Sequence, residues 1–457
     1  MKRYFLLFTL ISPLLLFNSC NKKSSSSNII YKLGIQENYP CVDGLAGGTY
    51  PCENVGMFAH LSADSLGGSR VNDIWGWTDP SSGTEYALVG LYDGVSFVDI
   101  SDPNNPVVVG KLQEASWAQK IAPEQIQDLT PSCMFGIGNS EANKNVTMGA
   151  AWRDIKVFDN HAFVVSDGQL HGMQVFDLTR LRDYNGTFMT FNEDAFYDRL
   201  GNAHNIAINE ESGFAYAVGV TAGELCGTRD GTGLHIIDIN DPKNPTFAGC
   251  YIDPETELPN SINVGVGYIH DTQCVNYEGS DNSYRDKEVC FSSAEGTIVI
   301  TDVTDKSNPA TISYATHPDF QYSHQGWLTE DHRYFLMNDE LDESNLGRNT
   351  KTYIWDVQDL DNPTFVGYYT HNTPTIDHNL YVRYNYVFES NYTSGLRVMT
   401  TGDLSKAELD QFGYFDTQPT DQAIRYRGTW SNYPYFESGV IVVSDIYDGL
   451  FILKPDF

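Results

Sequence analysis

Seven short segments of this chain align as copies of one repeat, and each copy opens with a polar residue. Four successive copies begin with His. Successive copies start about 50 to 80 residues apart, which fits propeller blades of roughly 40 to 50 residues with loop insertions. The seven opening residues are Asn72, Arg153, His204, His270, His324, His378 and Arg427.

Each opening segment is followed by further apolar runs that tight turns separate. In the first copy these runs cover residues 86–90, 94–100 and 107–110. Short β-branched or aromatic runs between Gly, Asn, Asp and Pro are typical of β-strands. No stretch beyond the N-terminus has sustained helical periodicity. The sequence therefore predicts an all-β fold, a seven-bladed β-propeller that forms a single domain over residues 41–457.

The last copy stops one strand short of a complete blade. Residues 54–61 resemble the fourth apolar runs of other copies, at residues 107–112 and 364–369. A propeller closes its ring by covering the last open sheet edge. We therefore expect residues 54–61 to complete the last blade by pairing with the strand that contains Phe451.

The N-terminus has the pattern of an export signal. Two basic residues precede an apolar run at residues 4–17, and the segment ends in Ser19 and Cys20. This resembles a bacterial lipoprotein signal peptide over residues 1–20, with Cys20 lipidated; the alternative is an ordinary signal peptide cleaved nearby. The apolar run is shorter than the roughly 20 residues that cross a bilayer. Residues 21–40 are predicted to be a flexible tether.

These signals predict an outer-membrane lipoprotein of the bacterial cell envelope that contacts the membrane through its lipid anchor only. Lys22 and Lys23 follow the lipidation site, where some surface lipoproteins carry acidic residues. The membrane face on which the protein lies, and hence its exposure at the cell surface, therefore stays open.

Export permits disulfides, because the compartment is oxidising. Three pairs are plausible from their positions in the repeat, with buried free thiols as the alternative. Cys133 would remain unpaired, and no Cys/His spacing typical of structural zinc is present. The candidate disulfide residues are Cys41 with Cys52, Cys226 with Cys250, and Cys274 with Cys290.

The net charge of −32 excludes one class of partner. Binding to nucleic acid requires basic surface that neutralises phosphates, so no nucleic-acid partner is expected. The remaining partner classes are a protein or a glycan at the cell envelope. An acidic surface can also attract calcium. The acidic loop at residues 338–345 could donate oxygens to calcium, but it lacks EF-hand spacing, and a solvated acidic turn is the preferred interpretation.

Several motifs resemble those of the choice-of-anchor B family, which is built from LVIVD-type repeats. The resemblance covers about residues 41–457 and is most specific at residues 268–274, 324–331, 338–343, 376–380 and 430–434. It implies an extracellular propeller whose relatives reach the cell surface by different anchors. It implies no particular activity.

In a propeller the first strand of each blade lines the central channel, so the opening residues should face a common space. The second residue is polar in six of the seven copies. Because side chains alternate between the two faces of a strand, one of the first two residues of each copy should point into the channel. Those second residues are Asp73, Asp154, Asn205, Asp271, Gln325 and Asn379. Trp430 is a further candidate at the channel mouth.

Imidazoles with an amide or carboxylate can hold a divalent metal such as Mn, Zn or Ca. The predicted metal ligands are His204, His270, His324, Gln325 and His378. The set is similar to the His and Gln residues of oligogalacturonate lyases, which are also propellers, and Arg153 and Arg427 could clamp a uronate carboxylate. The alternative is that these residues hydrogen-bond neighbouring blades.

Two functions remain. The first is a binding or scaffold module for a protein or glycan, with a polar, His-rich channel and no catalytic residues. The alternative is a metal-dependent polysaccharide lyase or hydrolase that uses the channel histidines. We favour the noncatalytic interpretation, because no Ser-His-Asp signature is present and repeated polar positions usually hold neighbouring units together.

Overall fold

The repeated apolar runs form antiparallel sheets that stand around a central channel, so the fold is an all-β propeller. The computed structural model describes residues 36–115, 152–168, 171–220, 226, 233–252 and 268–457. The predicted signal peptide, Cys20, most of the predicted tether and Cys133 lie outside the described residues. Within the described residues, no helix combines the length and apolar character that crossing a bilayer requires.

Six blades are built from strands that follow one another in the chain, ordered from the channel outwards. Blade 1 contains Val71–Thr78, Glu85–Leu91, Gly94–Asp99 and Val107–Gln113. Blade 2 contains Arg153–Phe158, His161–Ser166, Met173–Asp177 and Ala195–Tyr197. Blade 3 contains Asn205–Asn209, Phe214–Val218, Leu234–Asp238 and Thr246–Tyr251. Blade 4 contains Asp271–Asn276, Glu288–Ser293, Ile298–Asp302 and Ala310–Ala315. Blade 5 contains Ser323–Leu328, Tyr334–Asp339, Lys351–Asp356 and Thr364–Thr370. Blade 6 contains Leu380–Arg383, Tyr386–Ser390, Leu396–Thr401 and Leu409–Phe415.

A composite sheet, which we call the closing sheet, completes the ring between blade 6 and blade 1. It consists of Thr429–Tyr433, Ile441–Asp445, Gly449–Pro455 and Val55–Leu61. Val55–Leu61 pairs antiparallel with Gly449–Pro455, and His60 lies opposite Phe451. This is the pairing that the sequence predicts for residues 54–61.

The predicted count of seven blades is corrected to six. Each of six blades takes its four main strands from one region of the chain, whereas the four strands of the closing sheet come from both ends of the described chain. The sequence count includes the copy that opens at Arg427, which lies in the closing sheet. A repeat alignment counts opening segments, so it does not distinguish a self-contained blade from a shared sheet.

Two outer edges carry strands that the repeat pattern does not predict. Met189–Phe191 pairs in parallel with the outer strand of blade 1. Tyr50–Glu53 extends blade 6, and two short strands, Leu45–Ala46 and Cys41–Val42, follow it outwards. These additions cover edges that would otherwise present unpaired backbone groups.

The part of the predicted tether that the structure describes lies against the propeller. Tyr39 exchanges two backbone hydrogen bonds of 2.9 Å with Met57 in Val55–Leu61, which we call the closing strand. Glu37 is buried and forms a 3.0 Å salt bridge with Lys454. Residues 36–40 therefore belong to the folded unit.

The repeated Asp at the end of the third strand forms a turn. In blades 1, 3 and 4, the carboxylates of Asp99, Asp238 and Asp302 accept the backbone N–H two residues further on, at 2.9 to 3.0 Å. This is the local hydrogen bond that makes Asp a turn-forming residue. The helical elements in the described part of the chain are short: an α-helix at Asp342–Leu346 and 3₁₀ turns at Leu178–Asp183 and Leu404–Lys406.

The hydrophobic core lies between adjacent blades. Phe97 of blade 1 stacks on Phe176 of blade 2 with ring centroids 4.8 Å apart, and Phe291 of blade 4 stacks on Phe335 of blade 5 at 5.8 Å. The inner strands of successive blades contact one another around the ring. The inner strand of the closing sheet contacts the inner strand of blade 1 and so completes the circle. Equivalent positions of successive inner strands therefore face the same channel.

The described residues contain three disulfides, and their pairings are those that the sequence suggests. They join Cys41 to Cys52, Cys226 to Cys250, and Cys274 to Cys290. The last pair joins directly opposed residues of neighbouring strands in blade 4.

Replacing both Cys226 and Cys250 by Ala is expected to lower the free energy of unfolding by about 3 kcal/mol, because the bond restricts a loop of intermediate length in the unfolded chain. The two cysteines are 24 residues apart. Urea denaturation of the oxidised proteins measures the effect, with Cys133→Ala as the control. An unchanged unfolding midpoint in the double variant would contradict this prediction.

Candidate metal centre

Four histidines from successive blades form a continuous row at one mouth of the channel. His204, His270 and His378 each precede the inner strand of their blade by one or two residues, and His324 lies at the second position of its strand. Neighbouring ring centroids are 4.6 Å apart for His204 and His270, and 4.3 Å apart for the next two pairs. We call these four residues the histidine row.

Two tryptophans continue this row. The Trp430 ring lies 4.0 Å from the His378 ring, and the Trp152 ring stacks on Trp430 at 4.1 Å. Trp430 is a predicted channel residue, and the structure places it beside the histidines. Trp152 was not predicted, although it directly precedes the opening segment of blade 2.

Hydrogen bonds fix the orientation of two of these imidazoles. His270 Nδ1 lies 2.9 Å from the His324 carbonyl oxygen, and His378 Nδ1 lies 2.5 Å from the Trp430 carbonyl oxygen. A carbonyl oxygen only accepts, so each Nδ1 carries the proton and the neutral ring leaves Nε2 with a free lone pair. Metal-binding histidines commonly have this arrangement.

His204 differs, because its Nδ1 lies 3.1 Å from the carboxylate of Asp167. A carboxylate bonded to a histidine is also a common outer contact of a metal ligand. Asp167 follows the second strand of blade 2 and was not among the predicted site residues.

Glu340 supplies a carboxylate between two of the histidines. Its Oε2 lies 3.9 Å from His324 Nε2, and its Oε1 lies 3.8 Å from His378 Nε2. The three ligand atoms lie within 4.8 Å of one another. Two donors that share a metal at about 2.1 Å each lie at most about 4.2 Å apart, and both distances from an imidazole to Glu340 meet this limit.

The Tyr392 hydroxyl donates a 2.8 Å hydrogen bond to Glu340 Oε1. His378 Nε2 is buried and has no hydrogen-bond partner. A buried imidazole nitrogen without a partner loses its interaction with water and gains nothing in return. A bound metal would compensate this loss.

Burial sets the protonation of the row. It lowers the pKa of His270 and His324 well below the usual value, and that of His378 to about 3, so these rings are neutral at pH 7. Burial also opposes the charge on His204, but the nearby carboxylates, with Asp167 the strongest, together outweigh burial and raise the pKa to about 9. Neutral imidazole is the form that binds metals.

Burial raises the pKa of Glu340 to about 7. A cation beside this carboxyl group would favour its ionised form. The site therefore combines neutral nitrogen donors with a carboxyl group that ionises near neutral pH.

The second polar residue of each copy mainly holds neighbouring blades together. The Asp73 carboxylate accepts the Ile155 N–H at 3.3 Å, and the Asp154 carboxylate accepts the Ile206 N–H at 2.6 Å. Each bond joins one blade to the next. Together they explain the repeated polar residue at this position.

The same bonding continues further round the ring. The Asn205 amide donates to the His270 carbonyl at 3.0 Å. The Gln325 amide accepts from Leu380 N–H at 2.9 Å and donates to the Leu380 carbonyl at 3.0 Å. Because the Gln325 amide is occupied in this way, it does not contribute to the candidate metal centre.

A cavity of about 260 Å³ lies along the channel beyond the histidine row. Lys156 enters it and contacts Asp154 at 2.5 Å and Asp73 at 3.6 Å. Burial and then the Asp154 charge raise the pKa of Asp271 to about 7. The other polar residues that line this cavity include Asn205, Gln325 and Asn379.

A wider cavity of about 510 Å³ shares Trp75, Gln273 and Trp327 with the first. It contains residues from the far ends of the inner strands, so it opens at the opposite mouth. Tyr433 and Tyr435 add aromatic surface, which suits contacts with sugar rings or apolar side chains.

The structure does not bring the two arginines to the histidine row. Arg153 is buried beside blade 1, where it donates to the Leu91 carbonyl at 3.1 Å and contacts His171 at 2.7 Å. Arg427 precedes the inner strand of the closing sheet and donates to Gln418 at 3.2 Å. The expected clamp for a uronate carboxylate is therefore not formed.

Asn72 also lies away from the row. A side chain at Gly90, in the neighbouring strand of blade 1, would collide with the Asn72 amide oxygen. Asn72 thus packs within its own sheet.

The chain is similar in fold to solved structures. The outer coat vertex of COPII on membranes has a TM-score of 0.51 at 10% identity, over 85% of this chain and 84% of that chain. The COPII coat assembled on membranes has a TM-score of 0.51 at 10% identity, over 85% of this chain and 47% of that chain. The Myceliophteria thermophila Cps50 (Swd1) β-propeller domain has a TM-score of 0.48 at 11% identity, over 87% of this chain and 98% of that chain. Identities this low indicate the fold alone.

The fold and this site define a β-propeller with a histidine-rich channel mouth. Residues 82–113 and 229–253 match the LVIVD repeat family, so this propeller carries LVIVD repeats. No curated protein sequence matches the chain.

Proposed function

We propose that this protein is an envelope-anchored β-propeller of the choice-of-anchor B type that binds a protein or glycan partner. The LVIVD segments and the three disulfides support this proposal, since such bonds are typical of exported proteins. The lipid on Cys20 would attach the propeller to the outer membrane.

We further propose that the channel mouth holds a divalent transition metal through His324, His378 and Glu340. The observation that carries this proposal is the position of Glu340, less than 4 Å from both imidazoles. Two nitrogens and a carboxylate suit Zn or Mn, whereas Ca prefers oxygen donors. His270 is next in the row and could complete the ligand set.

Three protein ligands leave coordination positions open. An oxygen atom of the partner, such as a carboxylate of an acidic glycan or of a protein side chain, could take one of them. The metal would give an acidic protein a local positive charge with which to bind an anionic group. His270 and His378 each hydrogen-bond through Nδ1 to the next sheet, so the centre would also stabilise the ring.

The double variant His324→Ala/His378→Ala is expected to lose stoichiometric zinc or manganese. Removing two of three ligands should weaken binding by more than about 100-fold, because loss of an outer contact alone costs 10- to 100-fold. Elemental analysis after metal loading and desalting measures the content, and circular dichroism checks the fold.

His332→Ala is the matched control, since His332 lies in a turn of blade 5 and bonds to the Glu278 N–H. Equal metal content in the double variant and the wild type would contradict the proposed centre. Turnover of a polyuronate by the metal-loaded protein would favour the alternative, a metal-dependent lyase.

A further inference from the structure

Five aromatic side chains form the walls of the channel mouth opposite the histidine row, which we call the aromatic mouth. Blade 1 contributes Trp75, blade 5 Trp327, blade 6 Tyr381, the closing sheet Tyr433, and the segment after it Tyr435. Four pairs of neighbouring rings have centroids 5.1 to 6.2 Å apart and interplanar angles of 66 to 78°. Because these rings meet edge to face, they enclose a cavity instead of filling it as one stack.

One position of the repeat supplies residues to the narrower of the two cavities at this mouth. The fourth residue of each of the first six copies lines that cavity. The second residue, which joins the blades, is polar in six copies, whereas the fourth differs in size and charge from copy to copy. The architecture of the ring therefore does not dictate the fourth residue, which is what a functional position would show. The six residues are Trp75, Lys156, Ala207, Gln273, Trp327 and Tyr381.

Packing and hydrogen bonds hold the aromatic walls in place. A Cβ atom at Gly76 would lie 2.1 Å from the Tyr433 ring, so the inner strand of blade 1 accommodates this ring because residue 76 is glycine. The Arg383 guanidinium donates to the carbonyl oxygens of the two residues that flank Tyr435, at 2.5 and 2.8 Å. A cavity whose walls are already ordered binds a ligand at a small cost in conformational entropy.

Polar atoms in the cavity walls keep hydrogen-bonding capacity. The Gln273 amide oxygen accepts the Leu328 N–H at 2.8 Å, which orients the side chain. Within the described part of the chain, the Gln273 amide NH₂ group, the Trp327 indole N–H and the Tyr433 hydroxyl make no hydrogen bond to the protein. Buried Trp and Tyr side chains usually find a partner for these atoms. A ligand with several hydroxyl groups would provide such partners.

The charges around the aromatic mouth favour an uncharged ligand. The Lys156 ammonium lies 4.5 Å from the centre of the Trp75 ring, where it takes the place of an organic cation and would repel one. Glu210 and Glu330 line the wider cavity, and they and the net charge of −32 would repel an anion.

We propose that the aromatic mouth binds the uncharged end of a glycan. The C–H faces of a sugar ring are apolar and pack on aromatic rings, while its hydroxyl groups both donate and accept hydrogen bonds. The wider cavity, of about 510 Å³, lies within the range of roughly 300–1,000 Å³ that is typical of small-molecule sites. This inference rests on the proposed binding function, whose partner class it names, but it does not depend on the metal centre at the other mouth.

Isothermal titration calorimetry of the purified protein tests the proposal with four uncharged disaccharides: maltose, cellobiose, lactose and N,N′-diacetylchitobiose. We expect saturable binding of at least one of them, at one molecule per chain. Trp327→Ala should weaken this binding by at least about 10-fold, because the sugar ring loses an aromatic contact. Tyr92→Ala is the control, since Tyr92 is 38% exposed and lies outside both cavities, and it should leave the affinity unchanged.

A second variant preserves the packing of the cavity wall. Tyr433→Phe keeps the aromatic ring and removes only the hydroxyl group, so its urea unfolding midpoint should equal that of the wild type. It should weaken binding of the same disaccharide by about 2- to 10-fold, the usual effect of losing one hydrogen bond.

The proposal would be overturned by no saturable binding of any of the four disaccharides, or by wild-type affinity in both Trp327→Ala and Tyr433→Phe. Tighter binding of choline or glucuronate that is lost in Trp327→Ala would assign the aromatic mouth to a charged ligand instead. His324→Ala/His378→Ala should bind the disaccharide as the wild type does. A wild-type protein that holds metal but binds no disaccharide would contradict the glycan assignment and leave the metal centre standing.

Discussion

A variant that begins at Ser62 is expected to lose the cooperative unfolding transition of the propeller. This truncation removes Val55–Leu61, the outer strand of the closing sheet. Within that strand Val55 and Phe58 are fully buried and Met57 is 4% exposed. Burial of such a side chain is worth about 1.5–3 kcal/mol, and domains are stable by only about 5–15 kcal/mol. Near-UV circular dichroism during urea denaturation and size-exclusion chromatography would detect the loss.

A variant that begins at Gln36 is the control and should unfold as the wild type does, because it retains every contact described for the closing strand. A point substitution distinguishes the effect of lost side-chain packing from the effect of removing the strand. Phe58→Ala is expected to cost about 3–5 kcal/mol, whereas Val42→Ala, at a side chain 57% exposed, should change stability by less than about 0.5 kcal/mol. A cooperative transition at the wild-type midpoint in the Ser62 variant would refute the role given to this strand.

The closing strand was predictable because it carries the same local pattern as the fourth strands of complete blades. The number of blades was not, because the Arg427 copy opens a sheet that the N-terminal strand completes. Met189–Phe191 illustrates a further limit. This three-residue strand pairs with blade 1 rather than with its own blade, and pairing between distant segments leaves no local trace in the sequence.

The histidine row could be predicted because each of its members occupies a similar position relative to an inner strand. The arginines could not be placed by the same alignment. In the closing sheet, Trp430 lies beside the histidine row, and it follows Arg427 by three residues. In blade 2, Trp152 continues the row by stacking on Trp430, and it precedes Arg153 by one residue. A shift of one residue turns a side chain to the opposite face of a strand.

Glu340 and Asp167 illustrate what the repeat could not predict. Each follows the second strand of its blade, and loop geometry decides whether such a residue reaches the channel. Glu340 lies within the acidic loop at residues 338–345, but nothing in the sequence separates it from Asp339, whose carboxylate accepts the N–H groups of Gln321 and Tyr322. The direction of each carboxylate depends on the neighbouring blade, which is a tertiary property.

Replacing Lys156 by Met is expected to lower the free energy of unfolding by about 3–5 kcal/mol at pH 7.5, because removing one member of a buried ion pair leaves the others uncompensated. Lys156 lies between Asp154 and Asp73, whose side chains are 5% and 4% exposed. The methionine preserves the contact with the Trp75 ring, over which the Lys156 ammonium lies at 4.5 Å. Urea denaturation would measure the loss.

The loss of unfolding free energy in Lys156→Met should become smaller as the pH falls. In the wild type, burial disfavours ionised Asp154, but Lys156 and the hydrogen bonds from Asp73 and Ile206 together outweigh burial and hold the pKa of Asp154 below the usual value. Burial raises the pKa of Asp73 well above the usual value even with Lys156 present. Without Lys156 both pKa values should lie above those of the unfolded chain, so the folded variant binds more protons and gains stability towards pH 5.

Lys287→Met is the matched control for this pH dependence. Lys287 pairs with Asp302 at 2.8 Å, but its side chain is 40% exposed, so the pair should contribute less than about 1 kcal/mol. A Lys156→Met protein whose deficit stays constant between pH 7.5 and pH 5 would show that packing, rather than the buried charges, accounts for the loss. If the stability deficit shrinks towards pH 5 in Lys156→Met but not in Lys287→Met, the Lys156 ammonium group is the one that compensates the buried charges of Asp73 and Asp154.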